Sequence, residues 1–492
     1  MAKDESSDAP PKKDEITSTT PESVATVSSE HPSALTEPLT DQIKNYLWNS
    51  FASFNIGHLL LLLLGLHLFA MSFPSASDQK VFDEAYYTQA AKDLLNFVPS
   101  NLEHPFFGKI WGAIGIYLFG NDFFGWRIFY VLIGVASVWA LYELALVFFS
   151  KEKALLAASL LGFETLFFIH TSLLLLEGPP ILFALLAFLA YFKKHYYLSA
   201  IGFGLSVLSK EWGIYFVAAL FLYHVWATKR IPFSKLLSGR SLKTLVAFII
   251  IVVVVVGVPL QIYDVVYHPY RSTITTVGTV YIVNATSGQT VTTTTTSTNH
   301  SDYVNFFWEN FIYYYTYHSG LTISPGDLQN SWDHVAWYWI LPIDINPSQY
   351  YVTTVTVTTT GANGTVISKT ELHPIDWQGI GNLVIWWSIW IIVPVLIFKA
   401  IRKTATQLDA LIAALIVGTY VPNLILSGVI HRVVYAFYFI NTDPALVLGI
   451  PMVITFIVPD SIKWQRALMA LWLGAAILFF ILFFPVHPID FR

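Results

Sequence analysis

Apolar stretches long enough to cross a hydrocarbon core recur along this chain, separated by short polar links. A span needs roughly 20 apolar residues, and that rule places helices near 55–74, 127–149, 154–173, 178–192, 196–210, 212–227, 244–263, 379–398, 408–426, 433–457 and 467–486. The run from Phe248 to Leu260 carries no charge, and water would not tolerate it exposed. The pattern is that of an all-α polytopic membrane protein with about eleven transmembrane helices. In four parts, 1–45 is a tail, 46–263 a helical core, 264–378 a loop domain and 379–492 the C-terminal helices.

The links fix orientation. Lys151 and Lys153, Lys193 and Lys194, Lys229 to Lys243, Lys399 to Lys403, and Lys463 with Arg466 all fall on one side, which by the charge bias of membrane proteins is the cytoplasm. The opposite side holds two large loops, 75–126 and 264–378. The three sequons, at Asn284, Asn299 and Asn363, lie within the second loop, on the side where glycosylation takes place. Runs of β-branched residues around Gly/Asn turns at 272–296 and 350–368 predict two hairpins there. Between them, aromatic 302–318 predicts a helix lying on the membrane surface. An odd helix count leaves the tail cytoplasmic and the C-terminal Pro-Ile-Asp-Phe-Arg outside.

Composition sharpens the picture at three points. Hydrophobic residues make up 55% and charged residues 12%, which excludes an ordinary soluble protein. The acidic excess behind the net charge of −5 sits mostly in the Ser/Thr/Pro-rich first 45 residues, which read as disordered. Nucleic acid is not indicated. There is no cysteine, so disulfides, thiolate ligands and thiol nucleophiles are excluded. Chemistry falls to carboxylates, His, Lys and Arg.

Those groups gather at the outer face. Asp83 and Glu84 open an amphipathic helix in the first outer loop, followed by Ala90, Leu94 and Phe97 at helical spacing. The plain reading is a helix cap with an acidic first turn. Next come Glu103, His104 and Lys109, then Asn121, Asp122 and Arg127 at the head of the second span. Glu164, Glu177, Lys210, Glu211 and Arg432 lie inside or at the ends of apolar helices. Ionisable groups there are costly, so each is a candidate functional residue, with a snorkelling or paired structural charge as its plain alternative.

Taken in order, these residues resemble the protein O-mannosyltransferase family of membrane glycosyltransferases, which has the GT-C fold. Asp83-Glu84 resembles that family's acidic pair, and His104-Pro-Phe-Phe-Gly-Lys109 its His-Pro-Pro-x-Gly-Lys. Phe-Gly-Trp-Arg127, Ser209-Lys210-Glu-Trp-Gly213, Tyr317-His318-Ser-Gly-Leu, Trp337-Tyr-Trp-Ile-Leu-Pro342, Gly381-Asn382-Leu-Val-Ile-Trp386-Trp387 and Arg432-Val-Val-Tyr-Ala-Phe-Tyr438 follow at matching topological positions. There are departures. Glu164 and Glu177 stand where the family has Asp, and Leu173 where it has the Arg of a Ser-Arg pair.

The resemblance implies a GT-C core with a small extracytoplasmic β-containing loop domain. It implies a polyprenyl (dolichyl) phosphate sugar as donor, mannose by the family's habit, and a Ser/Thr hydroxyl of an exported protein as acceptor. Asp83 would be the general base, with Glu84 ordering it or the acceptor. Lys210, Arg432, Arg127 and Lys109, in that order, would meet the leaving phosphate, with His104, Glu177 and His318 lining the donor and acceptor sites. With Lys and Arg available, a divalent metal is not required, although Asp83, Glu84 and His104 could supply one. Two alternatives stand beside this. One is a GT-C enzyme acting on a lipid or moving an oligosaccharide, given the string Ser331-Trp332-Asp333-His334. The other is a transporter, which paired halves with broken helices would mark.

Overall fold

The computed structural model describes residues 54–76, 78–227, 239–269, 274–283, 290–299, 306–324, 331–360 and 366–486. The 1–45 tail, two of the three sequon asparagines (Asn284 and Asn363) and the C-terminal five residues lie outside the described residues.

Every predicted span carries helix. The first, α1 (Ile56–Ala70), starts where Asn55 accepts hydrogen bonds from the Gly57 and His58 amides, as an N-cap does. Two short helices of the outer loop follow, α2 (Glu84–Leu95) and α3 (Phe107–Phe119). Then come α4 (Phe123–Ala145), α5 (Lys151–Gly162), α6 (Thr165–Ser172), α7 (Gly178–Phe192), α8 (Tyr196–Ser209), α9 (Gly213–Ala227) and α10 (Gly239–Tyr267). The large loop holds the antiparallel hairpin β1 (Ile274–Val283) with β2 (Thr290–Asn299), and α11 (Phe307–Ser319). It ends in a second hairpin, β3 (Gln349–Thr360) with β4 (Val366–Gln378). The chain closes with α12 (Ile389–Ile401), α13 (Gln407–Thr419), α14 (Val421–Gly428), α15 (Asp443–Ile457) and α16 (Ile462–Leu482).

Among the described residues, six helical stretches are long and apolar enough to cross a membrane unaided, seven if the bent α5–α6 pair counts as one. Two departures from the sequence reading matter. The predicted 154–173 span is broken, with α5 and α6 meeting at 64°. Glu164 sits at the break, where its carboxylate accepts from the Phe167 amide and, at 2.6 Å, from the Asn382 amide. Its buried carboxyl oxygens therefore cap α6 and pin the chain before α12. The second departure is α3, an apolar helix inside the outer loop. Its 13 residues give about 20 Å, too short for a ~30 Å core, so it packs back on the bundle.

Close approach at two glycines positions the site. A Cβ on Gly108 would lie 2.3 Å from the Ser209 carbonyl oxygen, and one on Gly213 2.4 Å from Ser206 and Val207 backbone atoms. Only glycine lets α3 dock against the end of α8 and lets the chain turn sharply from α8 into α9. Lys210 and Glu211 occupy that turn.

Candidate active site

The turn into α2 separates two adjacent acids. Phe82 has φ of +52°, a left-handed conformation that a bulky residue adopts at a cost of about 1–2 kcal/mol. Its ring is held by stacking on Tyr350, centroids 4.2 Å apart. Glu84, next but one, is fully buried. It pairs bidentately with Arg127 (Nε to Oε1 2.8 Å, Nη2 to Oε2 2.7 Å) and accepts the Val81 and Leu174 amides, each at 3.0 Å. Arg127 spends its remaining donors on the carbonyls of Met71, Phe73 and Pro74. The pair is sealed and satisfied.

Asp83 is different. Its carboxylate makes no cap hydrogen bond and, among the described residues, accepts only from the Tyr87 hydroxyl, at 3.5 Å. Burial pushes its carboxyl up to about 6, with Lys210 pulling down and Glu177 pushing up. The plain cap reading does not describe it.

Two polar chains converge beside it. In the first, Lys210 donates to Glu177 at 2.6 Å, Glu177 meets His170 Nδ1 at 2.7 Å, and His170 Nε2 lies 3.2 Å from the Tyr350 hydroxyl. The Lys210 ammonium also sits 4.1 Å from the Trp212 ring centre, a favourable cation–π geometry. In the second, His104 Nδ1 is 2.9 Å from Glu211, whose other oxygen lies 3.2 Å from His318 Nε2. Arg432 donates through Nε to the His318 carbonyl at 2.8 Å and through Nη2 to His318 Nδ1 at 2.9 Å. Trp212 and Tyr438, 4.4 Å apart, form a wall between the chains. Burial lowers the His104 imidazole, against the pull of Glu211.

Asp83, His104, Glu177, Lys210, His318 and Arg432 are thus brought into one constellation. Arg127 is not part of it, because its guanidinium is committed to Glu84 and three carbonyls, which corrects its expected place at the donor phosphate. Lys109 is likewise committed. It donates to the Asn101 backbone, to Asn101 Oδ1 at 3.1 Å and to the His104 carbonyl at 3.0 Å, folding the loop that presents His104. Glu211, read from the sequence only as an intramembrane charge, bridges both histidines. His170, Trp212 and Tyr350 were not singled out. An ionisable side chain within an apolar helix marked His170, but nothing local marked Tyr350.

The alternative string Ser331-Trp332-Asp333-His334 serves packing. Trp332 is fully buried and stacked 6.2 Å from Trp386, and Asp333 accepts from Ser348 and the Ala436 amide.

The family model described as dolichyl-phosphate-mannose-protein mannosyltransferase matches residues 103–299. A polyprenol-phosphate-mannose–protein mannosyltransferase of Mycobacterium tuberculosis is 25% identical over 426 residues, 76% of this chain and 75% of that protein. Among solved structures, the sugar-donor-bound protein O-mannosyltransferase complex of S. cerevisiae aligns with a TM-score of 0.61 and 12% identity, covering 87% of this chain and 89% of that one. An oligosaccharyltransferase from Archaeoglobus fulgidus aligns with a TM-score of 0.50 and 10% identity, over 87% of this chain and 53% of that one. The fold is accordingly the GT-C membrane fold, and the chain is similar to protein O-mannosyltransferases in sequence as well as in fold.

Proposed function

We propose that the protein is a membrane glycosyltransferase that moves a hexose, mannose by its relatives' names, from a polyprenyl phosphate to Ser/Thr hydroxyls of exported proteins. The observation that carries this is Asp83. It is a carboxylate with no cap bond and one long hydrogen bond from Tyr87, under the influence of Lys210, on a loop fixed by the buried Glu84–Arg127 pair.

A hydroxyl whose pKa lies far above 7 needs a base within about 3 Å as it attacks C1. Asp83 takes that proton, and direct displacement inverts the anomeric carbon. The departing phosphate gains charge, which nearby cations stabilise. The charge of Lys210 is matched by Glu177, whereas Arg432 pairs with no carboxylate among the described residues. Arg432 therefore leads, with Lys210 beside it, and the charge balance of the step asks for no divalent ion. An apolar cleft of about 300 Å³, lined by Leu94, Phe106, Ala113, Tyr117 and Tyr267, runs beside the His104 loop and suits an isoprenoid chain.

The site faces the extracytoplasmic side, with the N-terminus cytoplasmic and Asn284, Asn299 and Asn363 outside. The test is transfer of label from polyprenyl-phosphate [¹⁴C]mannose by the purified chain. Label on a Thr-rich peptide is expected. Label on lipid alone, or none, would overturn the protein-acceptor reading.

A further inference from the structure

Three polar residues from distant parts of the chain meet at one point. His104 comes from the first outer loop, Glu211 from the α8–α9 turn and His318 from the last turn of α11. One donor atom from each lies within 4.8 Å of the other two. Their side chains are only 10%, 18% and 15% exposed, so the cluster is sheltered without being sealed.

We propose that His104, Glu211 and His318 bind a divalent transition-metal ion of the zinc type. Two imidazoles and one carboxylate form a donor set that zinc accepts, with a fourth position left for water or another ligand. Zinc–nitrogen and zinc–oxygen bonds of about 2.0–2.2 Å put tetrahedral ligand atoms ~3.3 Å apart. The His318 Nε2 to Glu211 distance of 3.2 Å is close to that.

The alternative is a hydrogen-bonded His–Glu–His cluster with no ion. His318 argues against it: Nε2 is buried 3.2 Å from Oε1 yet is not aligned for a hydrogen bond.

The ion has a structural consequence. It ties the first outer loop, the α8–α9 turn and the large loop into one unit. With an ion on Nε2, the neutral His318 ring carries its proton on Nδ1, so the Arg432 Nη2 donor, now 2.9 Å from Nδ1, must turn elsewhere. Arg432 Nε keeps the His318 carbonyl. Occupancy of the ion site thus frees one arm of the guanidinium assigned above to the donor phosphate. This last link rests on the proposed function, whereas ion binding itself does not.

The test uses the full chain, purified in detergent without a polyhistidine tag and stripped by chelator. Zn²⁺ is titrated by calorimetry, metal content is measured by mass spectrometry, and Co²⁺ is added as a spectroscopic probe. About one ion per chain is expected, with the intense visible bands of low-coordinate Co²⁺ bound to nitrogen and oxygen. Glu211→Gln and His318→Ala should each lower affinity at least tenfold, while His195→Ala, on an exposed link, should bind normally. Binding well below one ion per chain, a six-coordinate Co²⁺ spectrum, or equal binding by the two site variants would overturn the proposal. The wild-type stoichiometry and spectrum decide the matter even if a variant fails to fold. Mannosyl transfer enters none of these readouts, so a failure here is distinct from a failure of the glycosyltransferase reading.

Discussion

Asp83 and Glu84 are adjacent in sequence, and everything around them differs. Glu84 takes four hydrogen bonds, from Arg127 twice and from two backbone amides, so its charge is fully used. Asp83 takes one long bond from Tyr87, and burial raises its carboxyl to about 6. A base works only when deprotonated, so the transfer rate should be flat above pH 6 and fall about tenfold per unit below it. Asp83→Asn should insert and bind donor, yet lose about 10²-fold or more of the rate and with it the acid limb of the profile. Initial rates across pH for both proteins check this, and a near-native Asn variant would send the search for the base to Glu177 or His318. The cations divide in the same way. Arg432→Leu leaves no carboxylate unpaired, so it should stay folded while losing about a hundredfold in rate. Lys210→Gln strands buried Glu177, so it should lose stability as well as rate. Rates against donor concentration, read beside melting curves in detergent, separate the two, and native turnover by the Arg432 variant would remove it from the donor site.

The elements were legible wherever a local pattern specified them. Apolar runs marked each helical span, and β-branched runs around Gly/Asn turns marked both hairpins. The α5–α6 break was not legible, because Glu164 acts through Asn382, far along the chain. Nor was the committed state of Arg127, since its partners lie on α2 and in the segment after α1. Periodicity records which face of an element is apolar and says nothing about which distant polar group will meet it. That limit yields a prediction about the element Arg127 holds in place. Arg127→Met would leave the Glu84 carboxylate buried and unpaired at a cost of about 3–5 kcal/mol. Glu84→Gln with Arg127→Met should recover a good part of that. Melting temperatures in detergent, ordered wild type, double variant, then single variant, are the expected result. A single variant as stable as wild type would mean that the pair does not anchor α2 or the Asp83 turn.

At the scale of the whole molecule, the charge bias of the links and the clustering of polar chemistry make one joint demand. Basic links on one side predict the cytoplasm there, and a lipid-linked donor with an exported acceptor needs the site on the opposite side. Asp83, His104 and His318 all come from the two loops assigned to that outer face, and Lys210, Glu211 and Arg432 reach them from the ends of helices. That orientation is read from the distribution of Lys and Arg among the links rather than from contacts. The absence of cysteine makes it testable without background labelling. Gln89, exposed on α2 beside the site, and Lys463, exposed near the start of α16, lie on opposite faces in this topology. In intact cells, a membrane-impermeant maleimide should label Gln89→Cys and spare Lys463→Cys, and permeabilisation should bring the second up to the first. Labelling of Lys463→Cys in intact cells, with Gln89→Cys protected until permeabilisation, would invert the protein in its membrane. The site would then face the cytoplasm, where an exported acceptor is not presented, and the proposed substrate would fall with the topology.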